Sequence, residues 1–179
     1  MPVTEVLDGG EGTPVTPARR AAAAAAGSLG VARIASDAGQ VVRAGPIVAR
    51  VLWPRRDRAA PAGTDPNDRA TVLLVSDGDF DLLLSADAES DVLRRIELPQ
   101  VEAMKVPHHG SDDPGLPEVL DRLRPQVAVI PVGHNTYGHP TPSTVAALRA
   151  AVPEVRRTDE DGTVRLHVHG ARIRVEAAR

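Results

Sequence analysis

Cysteine is absent from the 179 residues. Disulfides and thiolate metal sites are therefore excluded, and any metal ion must be held by His, Asp, Glu or water. No apolar run approaches the roughly 18 residues that span a bilayer. The alanines from Ala21 to Ala26, behind Arg19-Arg20, lie too far in and are too weakly apolar for a signal peptide. A surplus of positive charge is also missing: the net charge is -3, which argues against holding nucleic acid by bulk electrostatics. A local basic patch, Arg43, Arg50, Arg55, Arg56 and Arg58, remains, and acid concentrates at Asp112, Asp113, Asp159, Glu160 and Asp161. Lys105 is the single lysine, no histidine precedes His108, and no repeat is visible.

What is present is an ordinary globular composition, 42% hydrophobic and 25% charged, of a length that fits one domain over residues 1–179. Strands are predicted at Val3 to Leu7, Val31 to Ala35 and Gln40 to Val42, the last two flanking a turn at Asp37-Ala38-Gly39, and at Ile47 to Trp53, closed by Pro54. A helix runs from Pro17, capped by Thr16, to Ala26. The segment 55–68 carries Pro, Gly, Asp and Arg without periodicity and reads as a flexible loop. Ala70 to Val75 and Phe80 to Leu84 form a hairpin across Ser76-Asp77-Gly78-Asp79. Glu89 to Ile96 reads as a helix and Val101 to Val106 as a strand; Pro117 to Leu123 is helical, and Val127 to Val132 is a buried strand. A helix from Thr141-Pro142 to Ala151 precedes a short strand, Val155 to Arg157. A hairpin across His169-Gly170 ends the pattern. Strands mixed with helices imply an α/β sandwich with its site in the loops at one sheet edge.

The chemistry concentrates at Lys105-Val106-Pro107-His108-His109-Gly110-Ser111, where an apolar segment stops at two histidines. In a continuing strand, His108 and His109 point to opposite sides, so one is a ligand and the other orients it or meets substrate; a turn at Gly110 would bring both inward. Asp87 stands just past an apolar run, where an unpaired carboxylate is costly. It either meets a metal ion or caps the helix near Glu89. A carboxylate with an imidazole at a neighbouring strand end suits zinc or manganese. His139 sits in Asn135-Thr136-Tyr137-Gly138-His139-Pro140, which holds the only tyrosine. Ser111 and Asp113 read as caps of the helix at Pro117 or of the turn before it, while His167 and His169 read as exposed strand residues without a nearby carboxylate.

Taken together, Leu82-Leu83-Leu84-Ser85-Ala86-Asp87-Ala88-Glu89, the twin-histidine segment, Asn135-x-Tyr137-Gly138-His139-Pro140, and Arg157-Thr158-Asp159 with Gly162 resemble the C-terminal metallo-β-lactamase-like domain of the ComEC/Rec2 competence proteins. Gly45 to Pro54 followed by Asn67-Asp68 extends the likeness upstream. The resemblance implies an αββα sandwich and metal-dependent phosphodiester hydrolysis, in a domain of a membrane channel for DNA uptake that degrades the strand not imported. It makes Asp87 the bridging carboxylate and His108 or His109 the late histidine ligand of a zinc or manganese site. His139, Ser111 and His109 are the candidate catalytic groups, with His139 nearer to substrate than to metal. Implied partners are single-stranded DNA and the remainder of such a channel, with the domain on the extracytoplasmic side of the membrane; a free-standing chain would be cytoplasmic.

Two departures qualify this. Ala86 replaces the glycine that usually precedes the aspartate, and the early His-x-x-x-Asp-His motif, which supplies most ligands, is absent. The αββα sandwich is accordingly expected to be incomplete at its N-terminal half, with an exposed apolar face. Two-metal hydrolysis needs ions about 3.5 to 4 Å apart, more than Asp87 and one histidine can hold, so weak metal binding and little hydrolysis are expected. A catalytically silent DNA-docking or interaction module of the same shape, and another hydrolase of the superfamily, are the alternatives.

Overall fold

A computed structural model describes residues 3–9, 15–55, 65–170 and 172–178. Its centre is a mixed seven-stranded sheet of β3 (Val41–Ala44), β4 (Ile47–Trp53), β5 (Val72–Asp77), β6 (Phe80–Leu84), β7 (Ala103–Lys105), β8 (Val127–Ile130) and β9 (Glu154–Arg157), adjacent in that order. The first four are antiparallel neighbours, and β6 through β9 run parallel. Parallel neighbours need crossovers. Here these are α2 (Ser90–Leu93), α3 (Leu116–Leu123) and α4 (Pro142–Ala151).

All three helices bury apolar side chains in one core with a single face of the sheet. Val72, Leu83, Met104, Ala128 and Ile130 meet Leu93, Leu120, Leu123 and Leu148 there, and none of these nine is more than 2% exposed. The opposite face carries Phe80, Leu82, Ala103, Val127 and Val129, covered by a hairpin of β10 (Thr163–His169) and β11 (Arg172–Ala178) through Leu166, Val168, Ile173 and Val175. α5 (Thr158–Asp161) carries the chain from β9 into that hairpin.

The N-terminal elements stand apart from this sheet. β1 (Glu5–Asp8) pairs in parallel with β2 (Ala32–Ala35) through α1 (Pro17–Ser28), whose cap is Thr16 as its sequence predicts. β2 therefore joins β1, while β3 joins β4; the strands either side of Asp37 do not pair with each other. Exposed apolar side chains gather here, Val6 and Ile34 on the small pair and Val41, Val42 and Ile47 at the sheet edge, rather than under the hairpin.

Of the expected loop 55–68, residues 56–64 lie outside the described residues. Its end is ordered as a 3-10 turn, Pro66–Arg69, pinned where the Trp53 indole donates to the Asp68 carbonyl at 2.6 Å. Arg56 and Arg58 of the basic patch fall in the undescribed part. Among the described residues no helix is long and apolar enough to cross a membrane.

Candidate active site

The carboxyl ends of β6, β7 and β8 share one edge of the sheet, and each runs into a turn that carries a candidate residue. After β6, Ala86 adopts a positive φ of 48° and turns the chain so that Asp87 faces the end of β7. After β7, the twin histidines leave strand geometry entirely. His108 (φ 40°) and His109 (φ 54°) are both left-handed inside the 3-10 turn Pro107–Gly110, a conformation that side-chain-bearing residues adopt only when their surroundings impose it.

Those surroundings are identifiable. Gly110 (φ 80°) lies so close to Pro140 that an added Cβ would sit 2.6 Å from the proline Cβ. Its carbonyl accepts from the Thr141 amide at 2.8 Å, and the Thr144 hydroxyl donates to the Ser111 carbonyl at 2.5 Å. The start of α4 thus clamps the twin-histidine turn against the His139 loop.

With alternation broken, the two imidazoles take different partners. The His109 Nδ1 lies 2.6 Å from the Pro131 carbonyl, which can only accept, so Nδ1 carries the proton and a neutral ring keeps its lone pair on Nε2. That Nε2 stands 3.8 Å from Asp87 Oδ1. Two donors on one zinc ion are at most about 4.2 Å apart, so this separation lies within a single ion's span. His108 instead directs Nδ1 to Glu89 Oε1 at 2.8 Å, and the Ser111 hydroxyl donates to the same oxygen. Ser111 therefore buttresses the Glu89–His108 pair and caps no helix. Asp113 does cap, but on α2 as well as its own turn: its carboxylate accepts from the Ser90 amide at 2.9 Å and from the Gly115 amide at 3.2 Å. Asp87 makes no cap, and the α2 N-terminus is supplied from Asp113 instead.

His139 completes the convergence. Its ring lies 5.5 Å from that of His108, centroid to centroid, and its Nδ1 is buried without a hydrogen-bond partner. A cavity of about 340 Å³ is lined by His109, Pro131, Gly133, His134, Asn135, Tyr137 and His139 among others. His134 is exposed, as its loop setting implies. The terminal hairpin departs from expectation, because His167 does have a carboxylate beside it, Glu176 Oε2 at 3.0 Å from Nε2.

Two residues that sequence reasoning did not select matter here. Glu89, two positions after Asp87 in the same motif, is the group that orients His108. Lys105 places its Nζ 3.7 Å from Asp87 Oδ1, donates to the Ala86 carbonyl, and donates to the Val106 carbonyl at 3.2 Å. Burial lowers its pKa below the ordinary lysine value, opposed by the Asp87 charge. Only its status as the single lysine, placed in the motif, marked it.

The donor set fits a divalent ion in part. The Asp87 carboxylate and the His109 imidazole lie within one ion's span, and the buried His139 Nδ1 has no hydrogen-bond partner. Among the described residues, however, no three His, Asp or Glu side chains are grouped so as to hold an ion. Zinc takes four ligands, and Lys105 already opposes part of the Asp87 charge. These residues do not constitute a metal centre by themselves.

No protein-family model matches the chain. Among solved structures, the chain is similar to a candidate metal-dependent hydrolase of Parabacteroides distasonis, with a TM-score of 0.49 and 14% identity over 88% of this chain and 77% of that one. It is also similar to the metallo-β-lactamase fold protein YhfI of Bacillus subtilis, with a TM-score of 0.42 and 11% identity over 71% of this chain and 53% of that one. In sequence, it is 31% identical over 110 residues to ComE operon protein 3 of Bacillus subtilis. It is 31% identical over 116 residues to Recombination protein 2 of Haemophilus influenzae. The chain is thus a relative of the ComEC/Rec2 proteins, matching these two over 59% and 63% of its own length and 14% and 15% of theirs.

Proposed function

We propose that the edge formed by the ends of β6, β7 and β8 is the carboxylate-and-imidazole part of a metal-dependent phosphodiesterase site for single-stranded DNA, connected with DNA uptake. Asp87 and His109 are its ligands toward zinc or manganese, and His108, His139 and Ser111 frame the substrate side. The remaining donors come from outside the described residues, supplied by another segment of a ComEC-type assembly. The chain by itself binds the ion weakly and hydrolyses little.

The observation that carries this reading is the meeting of Asp87, His108, His109 and His139 from three separate strand ends. Titration with manganese by calorimetry tests it: weak uptake by the wild type should disappear in the Asp87→Ala, His109→Ala double variant. Equal uptake by both would remove Asp87 and His109 from the ligand set.

A second reading is favoured by one specific contact. Lys105 beside Asp87 supplies positive charge where an ion would, as in a module that keeps the shape and binds DNA without cutting it. In that case manganese adds no cleavage of a single-stranded oligonucleotide, even at high protein concentration.

A further inference from the structure

Among the described residues Tyr137 is the most exposed large hydrophobic side chain, 82% accessible, in a protein with one tyrosine, one tryptophan and one phenylalanine. The other two rings are buried. A solitary exposed ring is common on protein surfaces, but this one is held. The Asn135 side chain accepts from the amides of Tyr137 and His139, both at 3.1 Å, and donates to the carbonyls of Gly133 and His139 at 2.9 and 2.8 Å. One amide side chain thus closes the whole turn. The tyrosine ring lies nearly parallel to the His139 imidazole, 13° between planes and 6.0 Å between centroids, within the range of offset stacking. It stands at the rim of the cavity whose wall includes His109.

We infer that Tyr137 is a stacking platform for one unpaired nucleobase, adjoining the Asp87–His109 pair. This rests on the phosphodiesterase reading and adds to it a subsite for the base. A flat ring, carried on a hydrogen-bonded turn beside His139 and open to solvent, offers the surface on which bases of single strands stack, whatever their identity. A base in a duplex already has its faces occupied by its neighbours, so the platform selects for single strands. With the base on Tyr137, the adjoining phosphate is directed to the cavity wall where His109 lies.

The test measures binding, without metal, of a fluorescein-labelled deoxythymidine 12-mer and of the same oligomer with abasic positions. Wild type should prefer the thymidine oligomer on the order of tenfold, Tyr137→Phe should retain that preference, and Tyr137→Ala should lose it while binding the abasic oligomer unchanged. A wild type that shows no preference overturns the inference, as does an alanine variant that keeps it. The Asp87→Ala, His109→Ala variant tests the proposed ion ligands separately, through manganese uptake. If manganese uptake is insensitive to that double substitution while the base preference depends on Tyr137, the phosphodiesterase reading fails and the base subsite stands; the reverse pattern removes the subsite alone.

Discussion

The two faces of the seven-stranded sheet are built to different standards. On the helix side, Leu83, Met104, Ala128 and Ile130 are completely buried against three helices. On the hairpin side, Leu82 and Val129 remain partly accessible beneath Leu166, Val168, Ile173 and Val175, which are themselves only partly buried. The site draws its rigidity from the first face. The helix that follows β8 clamps the twin-histidine turn, and the cap on α2 comes from the segment leading into α3. The hairpin is joined to the site through α5, whose Thr158 hydroxyl accepts from the Val132 amide at 2.7 Å. Close packing on one side is what allows left-handed histidines at the rim, because their strain is offset by the core behind them.

Substitutions should expose this asymmetry. The largest loss is expected from Leu83→Ala, a fully buried position, at about 2 to 5 kcal/mol in urea unfolding. Leu166→Ala, at the half-open hairpin face, should cost clearly less, about 1 to 2 kcal/mol, because the remaining contact area is smaller and the site can relax. Equal losses at the two positions would mean that the hairpin is as firmly packed as the helices, and the contrast between faces would fall.

The smallest effect belongs to the turn that joins the two layers. The Arg157 guanidinium bonds the Asp159 carboxylate at 2.8 Å and holds its pKa below the ordinary value. A depressed carboxylate stabilises the fold above the unfolded-state pKa, and that contribution is lost as the pH falls through the folded-state value. Asp159→Asn should therefore cost a few tenths of a kcal/mol at neutral pH, as expected for an accessible pair, and nothing in strong acid. A pH-independent difference would assign the effect to the turn's backbone instead of its charge.

Local signals in the chain read well at several element boundaries, though not for the caps expected of Asp87 and Ser111. Pro142 after Thr141 opens α4, Ile47–Trp53 ends at Pro54, and the hairpin before Leu84 lies where Asp77-Gly78 puts it. The helix expected from Glu89 to Ile96 shrinks to Ser90–Leu93, although Val92, Leu93 and Ile96 are all buried as their spacing implies. Periodicity reports which side faces inward; it does not report how many turns the tertiary setting sustains.

Residue types and their order along the chain were enough to identify a mixed α/β protein and to pick Asp87, the twin histidines and His139 as a group, since motif and strand end coincide in one dimension. Only the tertiary structure divided the labour among them. Which imidazole meets Asp87 and which meets Glu89 depends on a turn that alternation rules do not describe, and Lys105 reaches Asp87 across two neighbouring strands. Pairing of that kind joins residues about 20 positions apart, and its geometry exists only after the core has closed.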